Sequence, residues 1–102
     1  MANLIAARVK LSELELTDLK MYAAKQGMKH YEVVDEALAQ AAADVPERHL
    51  QMPKRGRSYR TVYHTNRLPI NRLTECLDCT QGEALYTAIV LFLECASRRE
   101  VA

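Results

Sequence analysis

Between Thr80 and Ala96 the chain carries a helical pattern too apolar for a surface. Leu85, Ala88, Ile89, Phe92 and Ala96 recur at i, i+3, i+4 and i+7, and Val90, Leu91 and Leu93 fill most of the remaining circumference. A helix that is apolar nearly all round must be covered on every side, so the rest of the chain has to be arranged about it. Thr80 and Glu83 stand at capping-box spacing ahead of it, where hydroxyl and carboxylate can each take a backbone N–H that a helix start leaves unpaired. The chain has 102 residues. A unit half that size buries too little surface to be comfortable alone, so residues 1–102 are expected to form one domain with a shared core.

The elements ahead of this helix come in a repeating order. Ile5, Ala7, Val9 and Leu11 alternate with Ala6, Arg8 and Lys10, which predicts a half-buried strand with two cations on its polar face. Ser12 can cap a helix over Glu13 to Lys25, where Leu16, Leu19 and Ala23 recur at helical spacing, Tyr22 sits beside them and Gly27 follows as a left-handed terminator. A second helix runs from after Lys29 to about Ala43 on Val33, Val34, Ala37, Leu38 and Ala41, and Pro46 ends the segment. A linker over Pro46 to Arg57, with two prolines and a glycine, is expected to be extended and exposed. Arg60 to Thr65 then reads as a second strand, and Pro69 opens a helix faced by Ile70, Leu73 and Leu77. The chain thus runs strand–helix–helix twice, over 5–45 and 58–99. Lys29 matches Thr80, Glu32 matches Glu83, Ala37 matches Ala88 and Leu38 matches Ile89. The first helices match less well, which calls for an early end to the second strand or a shorter helix after it.

Charge is laid out unevenly. From Pro46 to Arg72 there are seven cations (Arg48, Lys54, Arg55, Arg57, Arg60, Arg67 and Arg72) against the single acid Glu47, while both flanking segments are acidic and the whole chain is +1. A nearly neutral protein that gathers its positive charge in one run presents a basic surface, and the commonest partner for one is a polyphosphate. The same run also reads as a solvated linker.

These patterns resemble ribbon-helix-helix DNA-binding proteins. The first half carries the likeness in Arg8-Val9-Lys10-Leu11-Ser12, in Leu16, Leu19, Ala23 and Gly27, and in Glu32-Val33-Val34-Asp35-Glu36-Ala37-Leu38. Two such units on one chain are similar to the tandem accessory proteins of plasmid conjugation and of Agrobacterium T-DNA transfer, and His64-Thr65-Asn66-Arg67-Leu68-Pro69-Ile70 is similar to the second repeat of the latter. The resemblance implies a mainly α fold with a two-stranded antiparallel ribbon, two ribbon-helix-helix repeats forming an intramolecular pseudodimer. The strands' unpaired backbone groups favour the same pairing independently.

Such a ribbon would enter the major groove of double-stranded DNA, with Ala6, Arg8, Lys10, Thr61, Tyr63 and Thr65 facing the bases and Arg8 and Lys10 best suited to direct readout. The alternation around Val62 and His64 leaves the opposite phase of the second strand open. Helix starts and basic residues would hold phosphates: Lys29, His30, Thr80 and Gln81 at the two helix N-termini, and Lys54, Arg55, Arg57, Arg60 and Arg67 in and beyond the linker. Lys29 departs from the small polar cap usual in that family, giving up about 1 kcal/mol of capping. Tyr59 reads more readily as a packing or solvent-facing aromatic than as a base contact.

Other functions have less to rest on. There is no glycine-rich phosphate loop and no set of paired carboxylates on a recognisable scaffold, so an enzyme is not expected, nor a cofactor. Cys76 and Cys79 form one CxxC, to which only His64 could be added, and with Cys95 they read more readily as small buried hydrophobes than as metal ligands. The longest apolar run, Ala88 to Leu93, is six residues, far short of the roughly 20 that cross a bilayer, so a cytoplasmic protein is expected. The rival function is a protein-interaction module of antitoxin or scaffold type, using the basic arm and exposed helices.

Overall fold

A computed structural model describes residues 3–43 and 58–101, with only the backbone for 97–101. The expected linker over 46–57, with Lys54, Arg55 and Arg57, therefore lies outside the described residues. Two strands and four helices follow in the order β1 (Ile5–Leu11), α1 (Glu13–Gln26), α2 (His30–Ala43), β2 (Ser58–His64), α3 (Leu68–Leu77) and α4 (Gln81–Val101). Strand β2 starts two residues before the expected position and ends one before it.

Local chemistry explains the helix ends. The Glu15 N–H donates to Ser12 Oγ at 3.1 Å and the Ser12 N–H to Glu15 Oε1 at 2.9 Å, closing a capping box that starts α1. Gly27, at φ 65°, ends α1, and the Met28 N–H folds back to the Ala23 carbonyl at 2.9 Å. Helix α2 has only the second half of a box, the Lys29 N–H donating to Glu32 Oε1 at 2.8 Å. Pro69 lies in the first turn of α3, and Asp78, at φ 51°, ends it in the left-handed region. The Thr80–Glu83 box starts α4 with both bonds made, at 3.0 and 3.2 Å. The mismatch between the first helices has both of its expected causes: β2 stops at His64, and α3 has 10 residues where α1 has 14.

The strands pair antiparallel in a register that runs from Ile5↔His64 through Arg8↔Thr61 to Leu11↔Ser58. On the inner face Val9, Leu11, Val62 and His64 are buried. Against it lies α4, whose consecutive residues Ala84 to Ile89 are all buried along with Phe92, as a helix at the centre of a core requires. Helix α2 runs beside α4, with Ala37 and Ala41 next to Ala88, Leu91 and Phe92, small residues that allow the two axes to come close. Tyr22 of α1 meets Phe92 edge to face at 5.0 Å between centroids.

Contacts cross between the halves. Strand β1 packs on α4 and β2 packs on α2, while α3 also packs on α2. The Arg72 Nε–H donates to the Ala42 carbonyl at 3.1 Å, using one cation of the basic run to satisfy the end of α2. Each strand thus buries its apolar face largely on the other half's helix, and neither half encloses a core by itself.

The cysteines depart from expectation: Cys76 is exposed, and Cys79 and Cys95 are only half-buried. The CxxC straddles the end of α3, so its two thiols do not share the core-facing stripe. Burial, then Glu83 and Asp78, raises the Cys79 pKa and keeps that thiol protonated at neutral pH. Among the described residues no three His, Cys, Asp or Glu are grouped as a metal site, and no single helix is long and apolar enough to cross a membrane.

Candidate nucleic-acid interface

Among the described residues no helix covers the outer face of the ribbon. Ala6, Arg8 and Lys10 of β1 lie opposite Tyr63, Thr61 and Tyr59 of β2, and all six are exposed. The strand phase follows from burial, since Val62 and His64 carry the apolar load inward and leave the odd-numbered residues of β2 outside. Five of the six residues expected to face bases are therefore together on one surface.

Thr65 is the exception. It falls one residue beyond β2, where its N–H and its hydroxyl donate to the two carboxylate oxygens of Asp35 at 2.7 and 2.6 Å. That pair of bonds ties the end of the ribbon to α2 and turns Thr65 away from the outer face. The carboxylate had no local signal, because its partner is 30 residues away.

Tyr59, at the opposite end of β2 from Thr65, is the sixth residue of the outer face. The Arg8 guanidinium carbon lies 4.8 Å and the Lys10 ammonium 5.1 Å from the centre of its ring. Tyr59 is directly opposite Lys10 in the register and diagonal to Arg8, the two relations in which long side chains meet across a strand pair. Beginning the strand at Ser58 would have shown Tyr59 in phase with Thr61 and Tyr63.

Those residues expected to meet phosphates that are described are dispersed. Arg60 points to the inner side of the ribbon, opposite Val9, and its Nε is buried without a hydrogen-bond partner. The alternation that turns Val62 inward carries Arg60 with it, so it does not extend the outer face. Helix α4 begins close to the middle of β1: a Cβ added to Gly82 would lie 3.5 Å from the Arg8 carbonyl oxygen. A cleft of about 290 Å³ there brings together Ala6, His64, Arg67, Gln81 and Gly82. His64 is buried, with Nδ1 3.3 Å from the Asn66 carbonyl, which makes Nδ1 the protonated nitrogen of that bond. Thr80 and Gln81 are exposed at the same helix start, and Arg67 is exposed ahead of α3.

The start of α2 is built differently. Lys29 is exposed, its ammonium 5.9 Å from the Tyr31 ring centre. His30 is half-buried with Nε2 shut away from any partner, and burial, then the charge of Lys20, lowers its pKa. A ring held neutral at pH 7 contributes little charge toward a phosphate. The two helix starts are thus chemically unequal.

No protein-family model matches the chain, and no curated protein or solved structure matches it either.

Proposed function

We propose that this chain binds double-stranded DNA by laying the outer face of the β1–β2 ribbon in the major groove, as an intramolecular pseudodimer of two ribbon-helix-helix repeats. The observation that carries the reading is an outer face that no described helix covers, with Arg8, Lys10 and Thr61 exposed on it while Val9, Leu11, Val62 and His64 of the inner face are buried. A two-stranded ribbon has the width of the major groove, Arg and Lys can donate to guanine O6 and N7, and Thr can meet a base edge or a thymine methyl.

A quasi-equivalence between the halves supports the pseudodimer. The residue that follows β2, Thr65, gives its N–H to Asp35 of α2. The residue that follows β1, Ser12, gives its N–H to Glu15, whose other oxygen accepts from the Tyr86 hydroxyl of α4 at 2.9 Å. In both cases a carboxylate links the end of one half's strand to the other half's second helix. Because the two strands differ in sequence, the ribbon would read an asymmetric element, which suits a directional site of a plasmid or mobile element in transfer or partition. Repression of a promoter is compatible with the same chemistry. Leu14 and Met21, both exposed on α1, favour an accompanying contact with another protein or a neighbouring copy.

The test is a fluorescence-anisotropy titration, over a series of salt concentrations, of a duplex selected from a random pool against its scrambled counterpart. With about five to seven phosphates neutralised, log K falls against log salt with a slope of roughly −5 to −6. Arg8→Ala/Lys10→Ala removes the preference for the selected duplex. A chain that ignores duplex DNA even at low salt is a protein-interaction module instead.

A further inference from the structure

We infer that Tyr59 is the positioning residue of the ribbon, holding Arg8 and Lys10 as one preoriented reading unit on its outer face. The inference rests on the DNA-binding reading and adds to it a residue that itself need touch no base.

Arg8 and Lys10 are two apart on β1, so their side chains leave the same face as neighbouring like charges, and nothing on β1 itself would fix where their ends go. The ring of Tyr59 lies under both, at 4.8 and 5.1 Å. A cation over an aromatic face is attracted by the ring quadrupole, and the attraction is shared here by two cations that would otherwise repel each other. The contact is compatible with readout. A guanidinium held by its face keeps its in-plane N–H fork free for a bidentate partner, and an ammonium with one side toward a ring keeps donors on the other.

The ring is 56% exposed, so core packing does not account for its position. Tyr63, at the other end of β2, stands opposite Ala6 and has no cation over its ring among the described residues. The cation–ring cluster therefore runs from the middle of the outer face, at Arg8, to its Lys10–Tyr59 end, while Ala6 and Tyr63 at the other end carry no cation, and Arg8 also lines the cleft with Arg67 and Gln81. The ribbon has a chemical direction that its backbone lacks.

Two measurements test this. In DNA-free protein, NMR should show the Arg8 δ-methylene and Lys10 ε-methylene protons displaced upfield by the Tyr59 ring, retained in Tyr59→Phe and lost in Tyr59→Leu and Tyr59→Val. In anisotropy titrations, Tyr59→Phe should discriminate selected from scrambled duplex as wild type does. Tyr59→Leu and Tyr59→Val should lose about tenfold in that ratio, as expected for two exposed cation–ring contacts, with affinity for scrambled duplex and the salt slope unchanged. The valine variant keeps a good strand former should leucine disturb the ribbon. Tyr63→Leu should leave the cation shifts in place. Absence of the upfield shifts in wild type, or undiminished discrimination in the leucine and valine variants, overturns the assignment while leaving DNA binding intact. A wild type that binds no duplex overturns both.

Discussion

The β1–α1–α2 half and the β2–α3–α4 half use the same order of elements to do different work. Their strands are equal in length and meet at their middle residues, Arg8 and Thr61. The first half brings the outward cations, Arg8 and Lys10, and the second brings the outward aromatics, Tyr59 and Tyr63. The second half also brings the central helix, with its unbroken buried stretch from Ala84 to Ile89, whereas α2 buries one stripe. The difference shows that among the described residues the first half supplies the cations of the ribbon surface and the second its central helix, while the buried apolar residues come almost evenly from both. The pairing of β1 with β2, the crossed packing of β1 on α4 and β2 on α2, and the contact of α2 with α4 together make one domain of them.

The largest effect should come from breaking that crossing. Leu85→Ala in α4 and Leu38→Ala in α2 each remove a fully buried side chain, at a cost of about 2–5 kcal/mol. Each should lower the urea midpoint of both halves together, read by hydrogen exchange at α1 and α3 amides. One half unfolding while the other keeps its protection would show that the core is not shared.

A smaller effect separates the two clips at the strand ends. Asp35→Ala removes both acceptors of Thr65, which costs about 1.5–3 kcal/mol for bonds to a charged group. Tyr86→Phe removes one hydroxyl bond to the Glu15 carboxylate, at about 1.5 kcal/mol, the low end of the same range. Chemical denaturation should rank them in that order, and equal losses would remove the distinction between a direct clip and a relayed one.

The first helices end by the same left-handed turn on unequal residues, Gly27 at φ 65° and Asp78 at φ 51°. Gly27→Ala should cost about 1 kcal/mol, and Asp78→Gly should stabilise by about 0.5 kcal/mol, the relief of strain being partly offset by a freer unfolded chain. Thermal melts of the two variants should move in opposite directions.

The smallest effect concerns the helix starts. His30 has its folded pKa depressed, by burial and then by Lys20, so the unfolded chain binds its proton more readily. Its contribution to stability is present above the ordinary histidine range and is lost as pH falls through that range to below the folded pKa. Replacing His30 with Gln should flatten the fall in stability between neutral and mildly acidic pH, measured by urea midpoints. Because the residue is only half-buried, the change should be modest.

Much of this was legible in residue order. The apolar circuit of Leu85, Ala88, Ile89 and Phe92 announced the central helix, and the Ser12–Glu15 and Thr80–Glu83 pairs announced two helix starts, because caps act on backbone groups one turn away. The alternation of β1 placed Ala6, Arg8 and Lys10 on the ribbon surface, whereas the phase of β2, open in the sequence, was settled by the burial of Val62 and His64, which leaves Thr61 and Tyr63 outside. Arg60 was read as part of a basic run when its strand parity turns it inward, and Thr65 was read as a strand residue when it belongs to a turn.

The sequence by itself determined where helices begin and end, which strand residues alternate, and that one helix must be enclosed, since each of these depends on forces acting within a few positions along the chain. Tertiary structure decided the register of β1 on β2, the carboxylate of Asp35 on Thr65, the hydroxyl of Tyr86 on Glu15, and the gathering of Arg8 and Lys10 on Tyr59. Those contacts join residues 30 to 71 positions apart in the two hydrogen-bonded cases. No local pattern encodes such partners; they are selected when burial of the shared core fixes both halves at once.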